Sequence, residues 1–195
     1  MEADWEFEVG GDAPLIEALW PGFIDLQRFP ERAPQLPEAC ELPTMAEALA
    51  RLNGVGSQVW TSKCDVWTVT DRDEFDPDEL DAPPGSETHA IACYIDLLPR
   101  NDDSPNNLQW SSPEMTEDIC KLVCSLLGAV PLRCCRVDLV IRRAFIAPDR
   151  MADGMGFGLT AYLTACGPSP AEATLTLQVA LAAFTDALRG RSQVE

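Results

Sequence analysis

From residue 58 onward the chain reads strand, strand, helix, and then strand, strand, helix again. "QVWTSKCDVWTVT" (58–70) and "THAIACYIDLLPR" (88–100) are rich in β-branched and aromatic residues and are bounded by polar, Pro-containing stretches, the signature of strands. "SSPEMTEDICKLVCSLLG" (111–128) follows as a helix, with Ser112 as its cap, Pro113 in its first turn and Gly128 at its end. "RCCRVDLVIRRAFI" (133–146), "GFGLTAYLTAC" (156–166) and a helix from Pro170 to Arg189 then repeat the order. "ACYIDLL" resembles "TAYLTAC", and both helices open with Ser-Pro before a Glu, so the pattern reads as an internal duplication. Its consequence is an α+β fold: a four-stranded antiparallel sheet, open to extension, with two helices on one face.

The remainder of the chain is punctuated differently. Pro14, Pro21, Pro30, Pro34, Pro37 and Pro43 crowd the first 43 residues and exclude long regular elements there. "WEFEV" (5–9) suits a short strand and "DAPLIEALW" (12–20) a short helix, with the rest wrapping the domain through Trp20, Phe23 and Phe29. "TMAEALARLNG" (44–54) is a clearer helix, with Thr44 and Glu47 as a capping box, Met45, Ala48, Leu49 and Leu52 on one face, and Asn53-Gly54 as its stop. The organisation expected is one domain over residues 1–195: an elaboration over 1–57, a first repeat over 58–128 and a second over 133–190. Hydrophobic residues at 46% against 24% charged leave no doubt that such a chain folds.

Charge is distributed unevenly. Residues 1–120 hold 26 Asp/Glu against 6 Lys/Arg, whereas residues 121–195 hold 6 against 8, so the formal net charge of −18 belongs to the front of the chain. Such a surface repels phosphate backbones and anionic membranes and favours basic proteins or cations. The first residues show neither a basic stretch nor an apolar stretch of the kind an export signal needs, and no run approaches a membrane span, so a cytoplasmic protein is expected. Most of the eight cysteines sit inside apolar runs and read as reduced, buried thiols.

Side chains alternate along a strand, which divides each strand into two lists. In residues 134–146, Cys135, Val137, Leu139, Ile141 and Phe145 face the helices with Arg143 among them, while Cys134, Arg136, Asp138, Val140, Arg142 and Ala144 look the other way. The same division sets Tyr94 and Asp96 opposite Cys93, Ile95 and Leu97, and sets Tyr162 and Cys166 opposite Leu163 and Ala165. Trp67, Tyr94, Asp96, Arg136, Asp138, Arg142 and Tyr162 thereby share one surface, mixing rings and paired charges as a binding face does. The competing reading is that the Pro-rich segment covers this face and that Asp138 pairs with Arg136 or Arg142 merely to satisfy buried charge.

No motif for catalysis stands out. The neighbours Cys134 and Cys135 must point opposite ways on a regular strand, which argues against a vicinal metal or redox centre unless a bulge re-aims one of them. Cys120 and Cys124 are four apart on a helix and read as core rather than half a zinc site. The loop "DRDEFDPDELD" carries seven acids, Asp71, Asp73, Glu74, Asp76, Asp78, Glu79 and Asp81, but Asp81 stands where a calcium loop starting at Asp76 needs glycine. It reads as an acidic protrusion. "GMGFG" (154–158) precedes a strand rather than the helix of a dinucleotide loop, and His89 is the single histidine. The expectation is therefore a soluble, non-catalytic acidic protein without cofactor or metal, binding a basic partner as an immunity or antitoxin-like inhibitor would. Two alternatives stand beside it: a small-molecule sensor or enzyme with a pocket between the sheet face and the N-terminal segment, and an acidic nucleic-acid mimic.

Overall fold

The computed structural model describes residues 1–8, 22–70, 75–82, 88–100, 113–145 and 155–190. Five strands, β1 (Glu2–Phe7), β2 (Val59–Val69), β3 (His89–Pro99), β4 (Cys135–Phe145) and β5 (Met155–Gly167), form one sheet in the order β1-β4-β5-β3-β2. Around it lie a 3-10 turn at Pro30–Gln35 and helices α1 (Pro37–Glu41), α2 (Pro43–Asn53), α3 (Pro113–Gly128) and α4 (Pro170–Arg189). The class is α+β as expected, but the sheet is five-stranded and mixed rather than four-stranded and antiparallel. The extra strand is β1, which runs parallel to β4 with Glu2 beside Arg136, Asp4 beside Asp138 and Glu6 beside Val140.

The two strand-strand-helix units meet at the middle of the sheet. Tyr94 lies directly opposite Tyr162 on the antiparallel neighbours β3 and β5, with Ala92 opposite Thr164 and Asp96 opposite Thr160. Residues matched by the sequence repeat thus exchange places about the tyrosine pair, an approximate two-fold relation among the strands that β1, present on one flank only, breaks and that the helices do not share, since α4 packs on β5 and β3 while α3 packs on β1 and β4. Close approach holds the second unit together. A Cβ on Gly167 would lie 2.7 Å from the backbone nitrogen of Ala173, so only glycine lets the end of β5 pass this near to the start of α4.

One face of the sheet is dry. Cys93, Ile95, Leu97, Val137, Leu139, Ile141, Leu159, Ala161 and Leu163 are fully or almost fully buried in a core shared with α2, α3 and α4. From α4 come Leu177, Leu181 and Phe184, and from α3 Ile119, Cys120 and Val123. Cys120 packs here as the helical spacing predicts. α2 contributes Met45, Ala48, Leu49 and Leu52, and its Asn53 is satisfied by Thr61 and the Leu49 carbonyl. Three helices, not two, therefore cover this face. Arg51 on α2 pairs with Asp186 on α4, and Arg189 donates to the carbonyls of Arg51 and Val55.

Local details differ from expectation for identifiable reasons. The capping box at Thr44 and Glu47 does not form: Pro43 occupies the first turn with its φ already helical, Leu42 becomes the cap, and no side chain caps the end. A capping box forms instead at α4, with Ser169 accepting from the Glu172 backbone N–H and donating to its carboxylate. Phe29 is exposed, and Leu26 and Ala33 anchor this part of the chain instead. The short helix over 12–20, Trp20, Ser112 and Gly154 lie outside the described residues.

Candidate functional site

The opposite face of the sheet gathers the seven residues singled out from the alternation. Register places Asp65 beside Tyr94 beside Tyr162 beside Asp138 beside Asp4 across all five strands, so all of these side chains emerge on one side. Trp67, Tyr94 and Tyr162 form a ladder of tilted rings, with centroids 6.3 Å apart between the first two and 6.0 Å between the second two. Arg142 extends the ladder. Its guanidinium lies 5.8 Å from the Tyr162 ring centre and donates to the Tyr162 hydroxyl at 3.2 Å.

Charged groups on this face are organised rather than scattered. Arg136 donates to Asp138 at 2.7 Å and lies 3.9 Å from both Glu2 and Glu79, and the Asp138 bond raises its affinity for the proton further. Asp138 therefore pairs with Arg136, while Arg142 pairs with Glu8 at 2.6 Å. Asp96 accepts from Thr160 at 2.6 Å. Burial pushes its carboxyl above the ordinary Asp value, against the opposing pull of the Thr160 hydrogen bond, Lys63 and Arg142. Tyr94 is pushed up to about 12, chiefly by burial and then by Asp96 and Asp65, so it stays protonated as a donor at neutral pH.

The Pro-rich segment does not cover this surface among the described residues: residues 30–53 pack on the helical side, against α4 and β2. The acidic loop borders it instead. Residues 75–82 fold into a turn in which Leu80 N–H donates to the Asp76 carbonyl and Ala82 N–H to the Pro77 carbonyl. Leu80, only 5% exposed, docks against Val69, Ala90, Ala92 and Cys166. The described part of the loop is pinned to the sheet, not projecting from it. Asp71, Asp73 and Glu74, and Glu87, which would stand at the closing twelfth position of a calcium loop started at Asp76, lie outside the described residues. The remaining acids, Asp76, Asp78, Glu79 and Asp81, are all exposed, and Asp76 and Glu79 line a cavity beside the sheet.

Between this turn, β1 and β4 lies a cavity of about 390 Å³ lined by Asp4, Glu6, Asp76, Glu79 and Asp138, with Arg136, Phe75, Leu80 and Thr164. Five carboxylates against one guanidinium make it strongly electronegative. The β1 acids were absent from the sequence-based site. A signal for them existed, since "EADWEFE" alternates acid with apolar side chains, but it identifies a two-faced strand without naming its neighbour. Among the described residues no group of three or more metal-ligating side chains could hold a metal ion, and no helix is long and apolar enough to cross a membrane. Burial raises the thiols of Cys64, Cys93, Cys120, Cys124, Cys135 and Cys166, so they are thiols rather than thiolates at neutral pH. No known protein family, curated protein or solved structure matches this chain.

Proposed function

We propose that this chain is a non-catalytic binding protein of the cytoplasm that captures a basic protein partner on the open sheet face, as an immunity or antitoxin-like inhibitor does. The observation that carries this reading is the acid-lined cavity beside the ring ladder. An arginine or lysine of the partner enters between Glu6, Asp76 and Asp138, while Trp67, Tyr94 and Tyr162 supply apolar contact area around it. The net charge of −18 steers a basic partner from a distance and turns phosphate backbones away. Titration calorimetry with a short arginine-rich peptide, and with a neutral peptide of equal length, tests it. Binding of the basic peptide alone is expected, weakening with salt. Glu6→Gln and Asp76→Asn should each weaken it about two- to five-fold, the worth of an exposed ion pair. Equal binding of both peptides, or none, refutes the reading.

A second reading, a small-molecule sensor or enzyme, is favoured by the size of the cavity, which falls within the range of about 300–1,000 Å³ typical of ligand pockets. Its wall facing the sheet is the 75–80 turn, with β1 the contribution of the N-terminal segment. Its carboxylates select a small organic cation. A thermal-shift screen of such cations that raised stability where the arginine-rich peptide did not would favour it over the first reading.

A further inference from the structure

Two residues other than glycine occupy the left-handed backbone region among the described residues, Cys134 at φ 60° and Asp81 at φ 56°, and the two touch: the Cys134 thiol donates to the Asp81 carbonyl at 3.7 Å. Each conformation carries a steric cost that surrounding contacts must sustain, and such positions gather where a structure is held in a particular state. The left-handed turn at Cys134 matters for its direction. It places Cys134 just ahead of β4, aimed at the open face, while its neighbour Cys135 enters the main core. The vicinal pair is split, as strand alternation requires, and the nearest sulfur neighbour of Cys134 across the sheet is a different one.

That neighbour is Cys166 on β5. The Cys166 N–H donates to the Cys134 carbonyl at 2.8 Å, which continues the β4–β5 ladder by one step and sets the two residues opposite each other. Both are free cysteines packed in the cluster that Leu80 closes, and the nearby Cys134 thiol adds to burial in raising the proton affinity of Cys166. Opposed residues of antiparallel strands have Cα atoms about 4.5–5.5 Å apart, inside the range a disulfide accepts.

We propose that Cys134 and Cys166 form a redox-modification site, closed to a cross-strand disulfide by a small-molecule disulfide, and that closure loosens the Asp81 end of the 75–82 turn while Leu80 keeps the turn docked on the sheet. The reaction is two thiol–disulfide exchanges. The Cys134 sulfur attacks the reagent, one S–S bond breaks as another forms, and the first small thiol leaves with the proton. The Cys166 thiol then attacks Cys134 in the mixed disulfide, and the second small thiol is expelled carrying the Cys166 proton. Two protein thiols are oxidised and one reagent disulfide is reduced to two thiols. Cys134, the more exposed of the pair, meets the reagent first, and the buried Cys166 resolves it. Once bonded to Cys166, the Cys134 sulfur has no proton to give the Asp81 carbonyl, and the turn loses that tie beside the cavity wall formed by Phe75, Asp76, Glu79 and Leu80. In a reducing cytoplasm such a bond would form only under oxidative load, as a signal rather than a structural staple.

The full chain treated with oxidised glutathione, then mapped by mass spectrometry without reduction, tests the site. The expected product is an intramolecular Cys134–Cys166 link, formed equally in Cys135→Ser and abolished by Cys134→Ser and, separately, by Cys166→Ala. Hydrogen exchange at the amides of Leu80, Asp81 and Ala82 should accelerate at least several-fold on oxidation of the wild type and stay unchanged in Cys166→Ala under the same treatment. A link that persists without Cys166, a link through Cys135, or no link at all overturns the proposal. A link that leaves exchange at 80–82 unchanged overturns the loosening of the turn.

Discussion

The two faces of the sheet are made by the same strands, residue by residue in alternation, yet they obey different physics. On the helical face, Leu97, Val137, Leu139 and Leu163 are wholly buried and held by apolar contact with three helices. On the other, Tyr94, Asp138, Arg136 and Tyr162 remain partly open and are held by ring contacts and ion pairs. The difference teaches where stability and recognition reside. Burial of a large aliphatic side chain contributes about 1.5–3 kcal/mol, whereas an exposed ion pair contributes up to about 1 kcal/mol, so the ion pairs of the second face add little to folding beside its own buried clusters, Val69, Leu80, Ala90, Ala92 and Cys166 on one side and Trp60, Leu98 and Ala144 on the other.

Substitutions can break or sharpen this contrast. The largest effect is expected at the centre of the helical face: Leu139→Ala should lower unfolding stability by about 2–5 kcal/mol, measured by urea denaturation. Gly167→Ala should cost about 1–3 kcal/mol, because the added methyl meets the backbone of Ala173 and no flexible side chain can yield there. Across the sheet, Arg136→Ala should change stability by about 1 kcal/mol or less while weakening basic-peptide binding only slightly, since Arg136 orders the carboxylates around it. A loss as large as that of Leu139→Ala would abolish the distinction between the faces.

The smallest effect, at Asp96, has a sign set by burial. Its folded-state pKa lies above the ordinary value of 3.8, so the folded state holds the proton more tightly than the unfolded one, and stability falls as pH rises through the folded value. Asp96→Asn should therefore have a higher Tm than the wild type at pH 7. That advantage should disappear below about pH 3.8, where Asp96 is protonated in both states. An advantage independent of pH would mean that ionisation of Asp96 carries no cost.

Legibility in the sequence followed the range of the interaction. Alternation in "RCCRVDLVIRR" separates Val137, Leu139 and Ile141 from Arg136, Asp138 and Arg142 because a strand reverses its side chains at every residue, a local rule. The tyrosine pair follows from the repeat, since each unit carries one Tyr at the same place in its second strand. What stayed hidden depends on distant partners. Nothing near Glu2–Phe7 says that the strand will run parallel to β4 and carry its acids onto the open face. Leu80, alone among acids, reads as solvated until Val69, Ala90, Ala92 and Cys166 come together from three strands to receive it. Alternation put Cys134 and Cys166 on the same face, but the register that sets them opposite each other, with Cys134 in a left-handed conformation, depends on how β4 pairs with β5.

The central claim, that the open sheet face receives a cationic partner, is tested most directly by mapping backbone amide NMR shifts while an arginine-rich peptide is added. The account predicts shifts that saturate at Asp4, Glu6, Asp76, Tyr94, Asp138 and Tyr162 and fade as salt is raised, with the outer surfaces of α3 and α4 unmoved. Shifts confined to α3 and α4, or spread evenly over the acidic surface without saturation, would contradict it.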